Sequence, residues 1–169
     1  TEIYTLSLHD ALPIYAKRVD VKADIMASLI GIAKAPKLLE SMQELQAAQI
    51  TIENGLQGDA RGKKKKRQIS ILFEEDWKDA CNDLGTDLSW LIRRANLFID
   101  NMRSPRKPGT IIKIGDVKLE VCQETEPCDL MDKQHQGLQA KLLAEWRGGV
   151  CCSVRSSGHI KVGDLIAVI

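Results

Sequence analysis

Residues 110–122 read Thr-Ile-Ile-Lys-Ile-Gly-Asp-Val-Lys-Leu-Glu-Val-Cys. Gly115-Asp116 tolerates positive φ, and both flanking arms are rich in β-branched residues, so the segment predicts a β-hairpin with arms 110–114 and 117–122. Outward from that hairpin the same signals recur. Val150 to Val154, Gly158 to Val162 and Leu165 to Ile169 are short strand candidates separated by Ser156-Ser157-Gly158 and Gly163-Asp164. Upstream, Ser28 to Lys34 (SLIGIAK), Met42 to Asn54, Gln68 to Phe73 (QISILF) and Asn96 to Asp100 (NLFID) also read as strands. Pro36 stops the first of them, and Asn54-Gly55 turns the chain after the second.

Helices are fewer. Glu74-Glu75-Asp76 precedes Trp77, Ala80, Cys81 and Leu84, an apolar stripe behind an acidic first turn, and Gly85 ends it. Thr86 and Asp87 are candidate caps for a short helix through Leu88, Trp90 and Leu91. Leu138, Leu142, Leu143 and Trp146 form a second stripe, predicting a helix over 138–146 that breaks at Gly148-Gly149. Short strands with two or three helices set between them predict a mainly β fold, a β-strand-rich barrel decorated by those helices.

The chain has 169 residues, 24 Lys+Arg against 23 Asp+Glu and a formal net charge of +1, which suits one globular domain and argues against nucleic-acid binding driven by bulk charge. No apolar run approaches a membrane span. Five cysteines (Cys81, Cys122, Cys128, Cys151, Cys152) form an odd set without a CxxC pair. That pattern suggests neither a disulfide framework nor a zinc site, and a cytoplasmic protein is expected. Thr1 to Ile14 (TEIYTLSLHDALPI) resembles one reading frame of a sequencing-library adapter and is set aside as an artefact, with residues 15–27 expected to be a loose tail before a domain at 28–169.

Seven short motifs follow in order: GLQGDAR (Gly55 to Arg61), RQISIL (Arg67 to Leu72), RRANL (Arg93 to Leu97), IGDVKLEV (Ile114 to Val121), ETEPC (Glu124 to Cys128), RGGV (Arg147 to Val150) and GHIKVGD (Gly158 to Asp164). Their order over residues 28–169 resembles the MOSC domain, the module found at the C-terminus of molybdenum-cofactor sulfurases. The resemblance implies a β-rich barrel, chemistry on molybdenum cofactor (molybdopterin) or sulfur transfer, and one reactive cysteine in the Pro-Cys motif, here Cys128. It also implies that Cys128 is the molybdenum ligand if the cofactor binds. The chain is too short for the pyridoxal-phosphate desulfurase domain of full sulfurases, so a cofactor or a sulfur donor is expected from outside. Catalysis of molybdenum-dependent reduction, with a reductase or cofactor-delivery partner, competes with a non-catalytic carrier role.

The residues supply physical reasons of their own. Pro127 suits the first position of a helix, which would put Cys128 in a first turn where the helix end favours its thiolate. Arg93 and Arg94, before Asn96, are candidates to hold a phosphate or a pterin's polar edge by bidentate hydrogen bonds. Arg147 before Gly148-Gly149 is a further anion-binding candidate, although the glycines serve equally well as a helix stop. The run Lys63 to Arg67 sits beside the GLQGD turn, where it either steers an anion or is simply a solvated loop. Aromatic residues on which bases could stack are scarce, so a nucleic-acid partner is not expected.

Overall fold

A computed structural model of the chain describes residues 25–169. The adapter-like segment 1–14 and most of the tail at 15–27 lie outside the described residues. The predicted hairpin is present as β7 (Ile111–Ile114) and β8 (Val117–Glu124), in register from Ile111↔Glu120 to Ile114↔Val117. Gly115 takes φ 57 at the turn, a conformation that carries little penalty for glycine.

β8 pairs antiparallel with β9 (Val150–Ser156), and β9 in turn pairs antiparallel with β5 (Ile69–Phe73). All five residues of β5 are buried, which explains why it is apolar without alternation: it is covered on both faces. From β5 the chain enters α1 (Glu74–Leu84) and returns to β6 (Leu97–Ile99), which lies parallel to β5. A parallel pair needs a crossover of this kind, and α1 supplies it. β1 (Leu29–Lys34) pairs with β6 on one side and with β2 (Gln43–Leu45) on the other. With β11 (Ile166–Val168) on β7, the order of this eight-stranded sheet is β11-β7-β8-β9-β5-β6-β1-β2. A second sheet joins β10 (Gly158–Lys161), β3 (Ala47–Thr51) and β4 (Gly55–Leu56) in the order β10-β3-β4.

The expectation of a mainly β fold with helices holds, but the sheets are not closed into a barrel. β1 and β11 approach each other through one bridge, Ser28↔Leu165, flanked by Leu29 N donating to Asp164 O at 2.9 Å. The strand predicted over 42–54 is also divided. β2 serves the large sheet and β3 the small one, and the chain turns at Gln46, whose carbonyl accepts from Val162 N.

Two cores result. Ile69, Ile71, Phe73, Val150, Cys152, Ile112 and Leu119 belong to the core enclosed by the sheets. Leu72 and Phe98, on the other face, pack against Trp77, Ala80 and Cys81 of α1, against Met131, and against Leu138 and Leu142. Gly85 stops α1 in the left-handed conformation (φ 66), as the sequence indicates.

Three local expectations need correction. The short helix after α1 is a 3₁₀ turn, Trp90–Arg93, capped by the Ser89 hydroxyl rather than by Thr86 or Asp87. The predicted 138–146 helix stops early: α3 spans Leu138–Leu142, and Glu145 and Trp146 adopt positive φ, which swings the chain back to the sheet. Between Pro127 and α3 lies α2 (Leu130–Gln134), a single short helix that begins after Cys128 rather than at Pro127. Cys128 accepts from Met131 N through its carbonyl, but it stands outside the helix, so stabilisation of its thiolate by a helix end loses its structural basis.

The return to the sheet depends on Gly149. Its φ is 93, and a Cβ there would stand 2.1 Å from the Ile71 carbonyl oxygen. Gly149→Ala should therefore cost about 3 kcal/mol or more in urea unfolding, through strain and a forced shift of β5.

Candidate functional site

β5 and β9 build the floor of a cleft by strand parity. Ile69, Ile71, Val150 and Cys152 point into the main core, so the register partners Ser70 and Cys151 face the opposite way and line the cleft. The cleft has a volume of about 450 Å³. Thr125, Pro127 and Cys128, on the segment leaving β8, form one wall, and Arg93, Arg94 and Ala95, ahead of β6, form another. Arg61 and Arg67 approach from the turn between β4 and β5, and Lys37, Leu38 and Leu39 stand at the rim. Five cationic side chains thus face one carboxylate, Glu126, in the cleft lining.

Arg93 is the buried member of that set. Its Nε donates to Gly148 O at 2.9 Å, one Nη donates to Thr125 O at 2.7 Å, and the other lies 3.9 Å from Met131 Sδ. No carboxylate pairs with it among the described residues. Burial pushes its pKa down to about 10, well below the usual guanidinium range, while the nearby Cys128 and Cys151 thiols favour the charged form. Gly148 makes the grip possible, since a Cβ at that position would lie 3.0 Å from the guanidinium and 2.7 Å from Thr125 O. The left-handed conformation of Arg94 (φ 63) ends the 3₁₀ turn. Arg94 also lines the cleft; burial and the neighbouring Arg61 lower its pKa.

The GLQGDAR turn is held by Asp59. Its carboxylate accepts from Ala35 N at 2.9 Å and from Arg61 N at 3.1 Å, which fastens the turn to the end of β1. Arg61 then reaches across to donate to Arg94 O at 2.9 Å. Two basic segments distant in sequence are thereby clipped together at the cleft.

The candidates from sequence are therefore brought together only in part. Arg93, Arg94 and Cys128 share the cleft, and Cys128 is solvent-exposed there. Asn96 does not line it. Its side chain accepts from Ser70 N at 3.0 Å and donates to Ala33 O at 3.2 Å, so its amide ties β5 to β1. Arg147 is also elsewhere, donating to Asp83 of α1 at 2.8 Å, while Gly148 and Gly149 redirect the chain. Arg61 and Cys151 are cleft residues that the sequence did not single out, and Arg67, the last residue of the basic run, lines the cleft as well. Strand parity could have separated Cys151 from Cys152, since the QISILF strand fixes which neighbours face inward.

The remaining thiols have packing roles. Burial raises the pKa of Cys81 on the α1 stripe and raises that of Cys152 well above the ordinary value. Cys122 Sγ lies 2.9 Å from Ser153 Oγ, outside the cleft lining.

Known proteins bear out the reading of these motifs. A sequence model of the MOSC domain matches residues 56–167, more than half of the chain, and the chain belongs to that family. As a family, MOSC domains are associated with molybdenum-cofactor binding and sulfur transfer. The fold is similar to the crystal structure of the YuaD protein from Bacillus subtilis, with a TM-score of 0.70 at 19% identity over 85% of this chain and 96% of that one. YiiM from Escherichia coli is similar at TM-score 0.63 and 15% identity, over 84% of this chain and 69% of that one. YiiM from Geobacillus stearothermophilus gives 0.62 and 15%, over 86% and 74%. No curated protein sequence matches the chain significantly.

Arg93→Lys should cost about 2 kcal/mol in urea unfolding, because an ammonium cannot span both carbonyls and one buried acceptor is left unpaired. Arg94→Ala, which breaks no side-chain hydrogen bond among the described residues, should change stability by no more than about 0.5 kcal/mol.

Proposed function

We propose that this MOSC domain binds molybdenum cofactor, or carries sulfur, at the Arg93–Cys128 cleft and supports molybdenum-dependent reduction or sulfur transfer there. The observation that carries the proposal is Arg93: a residue only 7% exposed, its guanidinium without a carboxylate partner among the described residues, in a cleft whose other wall bears a thiol. Burying an unpaired cation is costly, and an anionic ligand offsets that cost. The donor set also fits a phosphorylated pterin. Arg61, Arg67 and Arg94 offer planar, charged donors for phosphate and for the pterin edge, and a cysteine thiolate is a soft metal ligand.

When bound, the cofactor supplies the redox metal with an open coordination position. The roles of the chain follow from the site. Cys128 presents its sulfur from an exposed segment held at Thr125 by Arg93. Arg61, clipped to Arg94, keeps positive charge against the ligand's phosphate. Leu38, Leu39, Leu130 and Met131 give the cleft an apolar side on which a flat ring can lie and exclude water. The five free cysteines are in keeping with a reducing compartment such as the cytoplasm. A redox enzyme would also need an external reductase, whereas a carrier would need only a docking partner.

The sign of the pH dependence follows from Arg93. Burial holds its folded-state pKa down at about 10, below the value in the unfolded chain, so the unfolded chain keeps this proton to higher pH. The group's contribution to stability rises as pH climbs between those values, and below about 10 the full cost of the buried cation is present. A bound anion offsets that cost.

Protein purified from a host that makes molybdenum cofactor should contain molybdenum and pterin by metal analysis and fluorescence, and Cys128→Ser should keep the fold while losing most of the metal. Blank analyses for the wild type, with sulfane sulfur on Cys128 instead, would select the carrier; a Cys128→Ser variant retaining full metal would reject Cys128 as the ligand.

A further inference from the structure

Cys151 has no part in the chemistry assigned above, yet it faces the same cleft as Cys128. Adjacent residues of a strand point to opposite faces, so the Cys151-Cys152 pair is split between two environments. Cys152 is fully buried in the main core, and Cys151 lines the cleft. The Thr125 hydroxyl lies 3.1 Å from Cys151 Sγ. Cys128 follows Thr125 by three residues, a span of about 10 Å at most when fully extended. Arg93, which holds the Thr125 carbonyl at 2.7 Å, is close enough to both sulfurs for each thiolate to favour its charge. The two thiols differ in access: Cys128 is exposed, whereas Cys151 is only 1% exposed and so is shielded from free reagents but open to a neighbour in the cleft.

We propose that Cys151 is the resolving thiol for a persulfide carried on Cys128, so that the domain releases sulfide as well as binding sulfur. The proposal rests on the sulfur-carrying reading of the cleft. In the first step the Cys128 thiolate attacks the terminal sulfur of a small-molecule persulfide, forming the Cys128 persulfide and expelling the donor's thiol. In the second, the Cys151 thiolate attacks the Cys128 sulfur attached to carbon. An S–S bond forms between the two cysteines, the bond to the outer sulfur breaks, and that sulfur leaves with the electron pair as hydrosulfide. The outer sulfur is reduced and the two cysteine sulfurs are oxidised to a disulfide. An external dithiol then reduces the disulfide and restores both thiols.

Other cysteines do not meet these conditions. Cys122 is outside the cleft lining beside Ser153, and Cys81 is packed among the helices with its thiol pushed up by burial. An exposed thiol and a sheltered one in the same cleft suit an intramolecular reaction, in which the sheltered thiol gains its rate from proximity rather than from access.

The test treats the reduced full chain with glutathione persulfide under anaerobic conditions, and follows free sulfide together with intact and peptide masses. The wild type should release one sulfide per chain and lose the mass of two hydrogens, with Cys128 and Cys151 recovered as one cross-linked peptide. Cys151→Ser should instead gain one sulfur atom on Cys128 and release no sulfide beyond the background, and Cys122→Ser should behave as the wild type. Peptide mapping of the wild type gives the answer even if Cys151→Ser fails to fold. A wild-type chain that accumulates the Cys128 persulfide without the cross-link would overturn the role of Cys151 and leave the carrier standing. A chain whose Cys128 takes up no sulfur would overturn both.

Discussion

The buried guanidinium of Arg93 is the interaction on which the cleft depends. It stands at the end of the 3₁₀ turn and bonds to two carbonyls from distant parts of the chain, Thr125 after β8 and Gly148 before β9. Hydrogen bonds from a charged donor to buried carbonyls are stronger than neutral ones, which is how the cation is held away from water without a carboxylate partner among the described residues. The same bonds set the position of the ETEPC segment relative to the strands. A carboxylate in place of either carbonyl would stabilise the arginine better, and it would also neutralise that wall of the cleft.

Around that grip, the glycines are required for separate reasons. Gly148 leaves room for the guanidinium, and Gly149 lets the backbone pass against Ile71. The sharp exit from α3, with Glu145 and Trp146 in the left-handed region, delivers these two glycines to β5 at the place where Thr125 can reach Arg93. Strain in the turn before β9 and the loss of side chains at 148–149 are therefore linked to the site. An ordinary helix continuing to Trp146 would carry the chain past it.

The strand-forming stretches were legible because each has a local cause. Gly115-Asp116 between β-branched arms, the unbroken QISILF and the acidic first turn before Trp77 all state their structure within a few residues. The motif order pointed to the family for the same reason. What could not be read depended on long-range packing. Met42 to Asn54 looks like one strand, and only the presence of two sheets divides it. Asn96 looks like a polar residue beside arginines, but its partners Ser70 and Ala33 come from two other strands. Arg147 likewise meets Asp83 only because α1 packs against α3. The basic run is divided in turn: Arg67 borders the cleft, Lys63 borders a neighbouring cavity, and the lysines between them are exposed.

That division gives the cationic surplus a physical consequence. Exposed lysines are screened by water and salt and act mainly on encounter rates, whereas Arg93 keeps its field because it is shielded. A ligand bearing phosphate, as proposed for this cleft, would gain most from the shielded charge and would thereby reduce the cost of burying it. Because a ligand that binds the folded chain alone stabilises it by mass action, occupancy of the cleft on the proposed reading would be coupled through one side chain to stability of the β8–β9 connection. Substitutions at Gly148 or at the start of β9 would therefore weaken ligand binding by moving the carbonyls that hold Arg93, without touching the ligand itself.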